Sequence, residues 1–152
     1  MDQKKYNKAI EYFQKAIKIN PNLAEVHNDL GNTLRLQGQS DRAIVSFQNS
    51  ISVQPNCLAF YNLGLVMQEQ EKVDEAVAYY EKAIAINPNF VQVYNNLGNM
   101  FQKLDRLDEA LQYYKTAIQI DPDYLEVQSN LGTIYIKIGE LDEAINCYRH
   151  IL

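Results

Sequence analysis

The sequence has few residues of the kinds that most often carry catalysis or hold metal ions. It contains no tryptophan, two cysteines and two histidines. The histidines, His27 and His150, lie far apart, and there is no His-Glu-x-x-His motif, no pair of neighbouring cysteines and no nucleophile elbow. A zinc site and the common hydrolase sites are therefore not indicated. We predict a protein that is not an enzyme and that uses no metal or cofactor.

Clustered positive charge is also scarce. The formal net charge is −5, from 14 Lys and Arg against 19 Asp and Glu, and the longest basic run is the pair Lys4-Lys5. Nucleic acids and anionic membrane surfaces are bound by clustered cations, so neither is expected as a partner. The longest apolar stretch, from Leu58 to Met67, is far shorter than the about 20 residues that cross a bilayer. The sequence also shows no signal peptide.

What the sequence does contain is an internal repeat. The pair Leu30-Gly31 recurs as Leu63-Gly64, Leu97-Gly98 and Leu131-Gly132, at offsets of 33, 34 and 34 residues. The landmarks that share this period are Ala9, Ala43, Ala76, Ala110 and Ala144; Phe13, Phe47, Tyr80, Tyr114 and Tyr148; and Pro21, Pro55, Pro88 and Pro122. Four landmarks with one period indicate stacked supersecondary units rather than a single closed core.

Each unit has the pattern of two helices. Apolar residues follow the helical spacing throughout, and the prolines end the second helix of each unit. Turns are expected at Gly38, Glu71-Lys72 and Gly139. The second helices begin near Asp74, Asp108 and Asp142, whose carboxylates suit a helix N-terminus and can cap it. The sequence therefore predicts nine helices and an all-α fold.

The predicted organisation is a single array over residues 1–152. A lone second helix occupies residues 1–23, and repeats follow at 24–56, 57–90 and 91–124. A last repeat, 125–152, ends inside its second helix. One residue is missing at the junction before Cys57, so a tighter turn is expected there.

Gly98 lies in the middle of a predicted helix, where glycine costs about 1 kcal/mol relative to alanine. Because this cost recurs at one period, it must be offset by close approach of the second helix, with Ala110 as the matching small surface. The cysteines, Cys57 and Cys147, fall in different repeats. We expect free thiols, a reducing compartment and a cytoplasmic protein.

The landmark order resembles the tetratricopeptide repeat. In residues 91–124 it is carried by Tyr94, Leu97-Gly98, Phe101, Ala110, Tyr114, Ala117 and Pro122. The chain departs from the pattern by His27 and Gln128 at the first aromatic position, Leu34 and Met67 at the second, and Ser50 at the last alanine, which predicts looser local packing. The resemblance implies a right-handed superhelix of antiparallel helix pairs, whose first helices line a concave groove that holds a peptide or protein segment.

Carried over residue by residue, the resemblance places a row of mostly amide side chains in that groove. The candidate site residues are Asn28, Asn32, Arg35, Tyr61, Asn62, Gln68, Gln92, Asn95, Asn96, Asn99, Gln102, Lys103, Asn130 and Lys137. Neighbouring groove positions are Glu25, Asp29, Leu58, Leu65, Glu126, Ser129 and Thr133. A carboxamide both donates and accepts hydrogen bonds, which suits the backbone of an extended peptide.

Asn62, Asn96 and Asn130 occupy one repeat position and form a ladder similar to the groove of O-linked N-acetylglucosamine transferases. If they only contact a ligand, alanine at all three positions should weaken binding and leave melting nearly unchanged. The alternative is that these asparagines simply solvate an exposed helix. Co-chaperones of the family clamp a terminal carboxylate with Lys and Arg, but the corresponding positions here hold Asn28, Gln92 and Asn96, so a chaperone C-terminus is not the expected ligand.

Three functions remain open at this point. The leading prediction is a non-catalytic scaffold that binds an extended protein segment in the groove. The alternative is the substrate-recognition arm of a larger enzyme such as an O-linked glycosyltransferase. The third is self-assembly into a homo-oligomer, because the first predicted helix lacks a partner and Cys147, Tyr148 and Ile151 end the chain without a capping helix.

Overall fold

The computed structural model describes residues 3–149 and 151, and within them the chain is helical with no strand. These residues form nine α-helices, as the sequence predicts. They are α1 (Gln3–Ile19), α2 (Ala24–Leu36), α3 (Ser40–Val53), α4 (Cys57–Glu69), α5 (Val73–Ile86), α6 (Val91–Lys103), α7 (Leu107–Ile120), α8 (Leu125–Ile138) and α9 (Leu141–Arg149).

The helices group into two compact units, with the boundary between Pro88 and Asn89. In the first unit, α1 packs on α2, α2 on α3, α3 on α4 and α4 on α5, and α2 also contacts α4. In the second unit, α6 packs on α7, α7 on α8 and α8 on α9. Helices α2, α4, α6 and α8 begin at the first residues of the four predicted repeats. The single array stays a prediction, and residues 1, 2, 150 and 152 of its end segments lie outside the described residues.

A glycine of each first helix packs against an aromatic ring of the second helix. A Cβ atom added at Gly98 would lie 2.4 Å from Cε1 of Tyr114. Gly31, Gly64 and Gly132 meet Phe47, Tyr80 and Tyr148 in the same way. The predicted close approach is confirmed, but the neighbour is the ring and not Ala110. The flat ring fills the space left by the missing side chain.

The turns within the helix pairs lie where the sequence predicts them. Gly38 and Gly139 have φ angles of 75° and 86°, and Glu71 has a φ angle of 59°. This left-handed conformation suits glycine and reverses the chain directly after a helix. Asp105, with a φ angle of 58°, performs the same role after α6.

The predicted caps by aspartate are wrong for α5 and α7. Asp74 and Asp108 lie inside the first helical turn, and the cap residues before the helices, Lys72 and Arg106, make no side-chain cap hydrogen bond. The carboxylates still complement the helix dipole from that position. A side-chain cap is present instead at Asn56, whose Oδ1 accepts from the backbone N–H of Ala59 at 2.8 Å. This cap closes the α3–α4 connection, which has one residue fewer than the α1–α2 connection, as predicted.

Candidate functional site

The predicted site residues all lie on first helices. In the first unit, α2 carries Asn28, Asn32 and Arg35, and α4 carries Tyr61, Asn62 and Gln68. In the second unit, α6 carries Gln92, Asn95, Asn96, Asn99, Gln102 and Lys103, and α8 carries Asn130 and Lys137. Gln92, Lys103 and Lys137 are exposed, Asn62 and Asn95 are buried, and the others are half-buried.

The buried asparagines join consecutive first helices. Nδ2 of Asn62 on α4 donates to Oδ1 of Asn28 on α2 at 3.0 Å. In the second unit, Nδ2 of Asn130 on α8 lies 3.4 Å from Oδ1 of Asn95 on α6, at the same two repeat positions. The ladder asparagines Asn62 and Asn130 are thus bridges between repeats, which is a role that the sequence analysis did not foresee.

Asn130 and Asn95 make further contacts that complete the bridge. Nδ2 of Asn130 also lies 3.0 Å from Oδ1 of Asn99. Asn95 is only 3% exposed, and its Nδ2 lies 3.0 Å from Oε1 of Glu126 and 3.4 Å from the hydroxyl oxygen of Tyr124. Because these amide groups satisfy one another across two helices, they fix the spacing of α6 and α8.

Tyrosines of the second helices reach through to the first-helix surface. The hydroxyl group of Tyr80 donates to Oε1 of Gln68 at 2.7 Å. The hydroxyl group of Tyr114 lies 2.9 Å from Oε1 of Gln102 and 2.6 Å from Oδ1 of Asn99. Burial, followed by the negative charge of Glu126, raises the pKa of the Tyr114 phenol. The hydroxyl group therefore stays protonated and remains a donor.

The first repeat has a different pair at these positions. Phe47 replaces the tyrosine, and Arg35 replaces the glutamine. Arg35 turns instead to Glu69, with Nη1 2.5 Å from Oε1, while its Nη2 donates to Oδ1 of Asn32 at 3.2 Å. Nε of Arg35 is buried without a hydrogen-bond partner.

Three of the residues that depart from the family pattern are held by hydrogen bonds, so the predicted looser packing is not seen at these three positions. Nε2 of His27 lies 2.9 Å from the backbone oxygen of Pro21, and Nε2 of Gln128 donates to that of Pro122 at 3.2 Å. Both side chains are buried. Ser50 is also buried, and its hydroxyl group donates to the backbone oxygen of Ala24 at 2.8 Å. A polar contact has replaced an aromatic or methyl contact in each case.

A cleft of about 360 Å³ opens in the first unit where α2 and α4 begin. It is lined by Ala24, Glu25, Asn28, Asp29, Gln54, Asn56 and Leu58. Burial, and then the charge of Glu25, raises the pKa of the Asp29 carboxyl group. The sequence analysis placed Glu25 and Asp29 at positions of the predicted groove but did not predict the cleft. The available signal was Asp29 itself, because the other three repeats hold asparagine at this position.

The part of the chain that the structure describes contains no candidate metal site and no candidate membrane-spanning helix. No three His, Cys, Asp or Glu side chains there come together as possible metal ligands. None of the described helices combines the length and the apolar character that a bilayer requires. Cys57 and Cys147 are free thiols, as predicted, and burial raises the pKa of Cys147. His150 lies outside the described residues.

Family models for this helix-pair repeat match most of the sequence. Models described as tetratricopeptide repeat match residues 24–57, 91–124 and 113–146, and a model described as TPR repeat matches residues 1–38 and 69–105. The chain belongs to the tetratricopeptide repeat family. A search of the curated proteins found no match.

Solved structures of tetratricopeptide repeat proteins are similar over nearly the whole chain. A crystal structure of MamA is 26% identical with a TM-score of 0.82, over 95% of this chain and 85% of MamA. YrrB, a TPR protein with an unusual peptide-binding site, is 22% identical with a TM-score of 0.71, over 97% and 76%. PilF of Pseudomonas aeruginosa is 19% identical with a TM-score of 0.88, over 97% and 68%.

These comparisons confirm the all-α tetratricopeptide fold class, and this fold is typical of protein-interaction scaffolds. They do not test the finer predictions. The likeness to the groove of O-linked N-acetylglucosamine transferases, the cytoplasmic location and association through the chain ends stay predictions.

Proposed function

We propose that this tetratricopeptide repeat protein is a non-catalytic scaffold that binds an extended peptide or protein segment on its first helices. In the first unit α2 and α4 form a contact surface, and in the second unit α6 and α8 form one. The observation that supports this proposal is the fixed orientation of the surface amides Gln68 and Gln102. YrrB has the same fold and a peptide-binding site, which shows that such helix pairs can carry one.

The two glutamines are set to donate hydrogen bonds outward. Their Oε1 atoms accept from the hydroxyl groups of Tyr80 and Tyr114. Each Nε2 group is therefore the part of the amide that is left to meet a backbone carbonyl of a bound segment. Because the tyrosines hold the side chains in place beforehand, little rotamer entropy is lost on binding.

The ladder asparagines support this surface as well as contributing to it. Asn62 and Asn130 use their Nδ2 groups in bridges within the protein. We therefore assign the main ligand contacts to side chains around them, namely Asn32, Gln68, Gln92, Asn96, Gln102, Lys103 and Lys137. Lys103 and Lys137 are exposed near the ends of α6 and α8 and add positive charge to that end of the surface.

The decisive experiment removes the outward donors and keeps the inward acceptors. Gln68→Glu with Gln102→Glu replaces each NH2 group by an oxygen, while an oxygen still faces the tyrosine. The matched control is Gln48→Glu with Gln112→Glu, at exposed positions of the second helices α3 and α7. Peptides are first selected from a displayed library of random dodecapeptides, and their affinities for the three proteins are measured by fluorescence anisotropy.

We expect the Gln68/Gln102 variant to lose about tenfold or more in affinity, since each lost donor leaves a peptide carbonyl unpaired beside a carboxylate. The control variant should bind as the wild type does. Amide NMR shifts on addition of peptide should concentrate on α2, α4, α6 and α8. Shifts confined to α3, α5, α7 and α9, or equal loss in both variants, would contradict the proposal.

A further inference from the structure

The cleft at the start of α2 differs chemically from the amide surface around it. Glu25 and Asp29 are one helical turn apart on α2 and both line the cleft. The three other repeats hold Leu58 and Asn62, Gln92 and Asn96, or Glu126 and Asn130 at these two positions. A pair of carboxylates is therefore specific to the first repeat.

Neither of these carboxylates has a cationic partner among the ion pairs of the described residues. By contrast, Glu126, at the repeat position of Glu25, accepts from Asn95. The raised pKa of Asp29 fits this account, because partial desolvation, and then the charge of Glu25, make its negative charge less favourable. A cation placed between the two groups would relieve that cost.

The two asparagine side chains that line the cleft already make hydrogen bonds within the protein. Oδ1 of Asn28 accepts from Asn62. Oδ1 of Asn56 caps α4, and its Nδ2 lies 2.9 Å from the backbone oxygen of Gln54 and 3.1 Å from Ser50. The carboxylates of Glu25 and Asp29 are the charged acceptors that the cleft offers to a ligand. Their chemistry selects a donor with a positive charge.

Apolar surface completes the cleft. Leu58, on the first turn of α4, is 52% exposed, and Ala24 also lines the cleft. Lysine and arginine side chains combine a methylene stem with a charged head, so they can cover an apolar wall while the head reaches an acid. Two carboxylates without a third ligand do not suggest a metal ion.

We propose that this cleft receives a lysine or arginine side chain of the bound segment, with its charged head between Glu25 and Asp29 and its methylenes against Leu58. The inference rests on the proposed function, since the side chain belongs to a segment that the first helices bind. It makes the first unit selective for a basic residue at one position of the ligand.

The probes are positional-scanning hexapeptide mixtures with acetylated N-termini and amidated C-termini, in which one position is fixed as Lys, Arg, Gln or Glu. Their affinities are compared for the wild type, for Glu25→Gln with Asp29→Asn, and for Glu75→Gln with Glu81→Gln. The last variant has the same change in net charge at exposed positions of α5 in the same unit. Circular dichroism establishes that all three proteins fold.

We expect the wild type and the Glu75/Glu81 control to prefer Lys or Arg over Gln by about tenfold at one position, as a charge-assisted hydrogen bond provides. The Glu25/Asp29 variant should lower this preference to about twofold or less, which is the part left to the overall negative charge. Amide NMR signals of residues 24–29 and 54–58 should respond to the basic mixtures.

Several outcomes would overturn the inference. If the Glu25/Asp29 variant keeps the preference, the overall charge and not the cleft selects basic peptides. If the mixtures bind without any preference, the inference fails while the proposed function stands, and if no mixture binds, both fail. A further test uses Gln mixtures with free N-termini. If these bind as tightly as the blocked Lys mixtures, and if this affinity is lost in the Glu25/Asp29 variant, the cleft binds an N-terminal amine rather than a side chain.

Discussion

The hydroxyl group of Tyr114 on α7 lies 2.9 Å from Oε1 of Gln102 on α6, and the ring that carries it covers Gly98. One side chain thus closes the helix pair and orients a surface amide. Tyr80 has the same two contacts, with Gly64 and Gln68. Changes at these tyrosines should therefore affect both stability and the surface.

Gly98→Ala should destabilise the protein although alanine is the better helix former. The added Cβ would lie 2.4 Å from the Tyr114 ring, which must shift. We expect a loss of about 1 to 3 kcal/mol in the free energy of unfolding, as in other overpacked cores, measured by urea denaturation. In a Tyr114→Ala background the same change should cost less, because the ring is gone. Equal costs in both backgrounds would refute the contact.

Tyr114→Phe should lower the free energy of unfolding at neutral pH. It should also make this free energy fall less steeply as the pH rises into the alkaline range. Asn99 and Gln102 lose the one hydroxyl proton that they share, so we expect a cost of about 0.5 to 1.5 kcal/mol near pH 8. Because the folded state raises the pKa of Tyr114, its contribution is full below the unfolded pKa of about 10 and is lost as the pH rises toward the folded pKa.

Urea denaturation at pH 8 and at about pH 11, above the ordinary tyrosine pKa, checks this prediction. The gap between wild type and variant should shrink at the higher pH. Tyr12→Phe, at a side chain that is 59% exposed, provides the control and should cost less stability at pH 8. If the difference in free energy of unfolding between wild type and Tyr114→Phe grows with pH, the prediction is wrong.

Phe47→Tyr should stabilise the first unit. By analogy with Tyr80 and Gln68, the new hydroxyl group would point toward Arg35, whose Nε is buried without a partner. We expect a gain of about 0.5 to 1.5 kcal/mol in the free energy of unfolding, measured by urea denaturation. If the new hydroxyl group finds no partner, the change should destabilise the protein instead.

A second comparison tests the contact between positions 35 and 47. Arg35→Gln alone breaks the ion pair with Glu69 and should cost stability. Combined with Phe47→Tyr, it recreates the tyrosine and glutamine pair of the next repeat. The two changes together should therefore cost less than the sum of their separate effects, and strict additivity would argue against the contact.

Asn62→Ala should destabilise the protein in the absence of any ligand. Asn62 is only 8% exposed, and its loss leaves Oδ1 of Asn28 without its donor. We expect a cost of about 0.5 to 1.5 kcal/mol by thermal or urea unfolding, typical of one lost hydrogen bond. Asn32→Ala, on the half-buried surface of α2, should cost less. An unchanged melting temperature for Asn62→Ala would restore the interpretation from sequence that this asparagine serves only the ligand.

The helices could be predicted from the sequence because their signals are local. Gly38, Gly139 and the prolines mark the ends of helices, and the predicted repeats begin where α2, α4, α6 and α8 begin. The partner of each glycine was harder to predict. The period shows that Ala110 and Tyr114 both recur, but not which of them lies over Gly98.

The site could be predicted only in part. Repeat positions indicate which side chains lie on the first helices. They do not distinguish an amide that contacts a ligand from one that contacts the next repeat, because both have the same spacing in the sequence. The distance between α2 and α4 decides that Asn62 meets Asn28. The cleft depends on how the α3–α4 connection places Asn56 and Leu58 beside Asp29, which no local pattern encodes.

The asparagine bridges also set the register in which a segment can be recognised. The hydrogen bond between Asn62 and Asn28 ties α4 to α2, so the first helices of this unit cannot spread apart without losing it. A ligand with one residue inserted between two contact points would therefore have to bulge outward or give up one contact. Such a surface would select a ligand by the spacing of its side chains as well as by their chemistry.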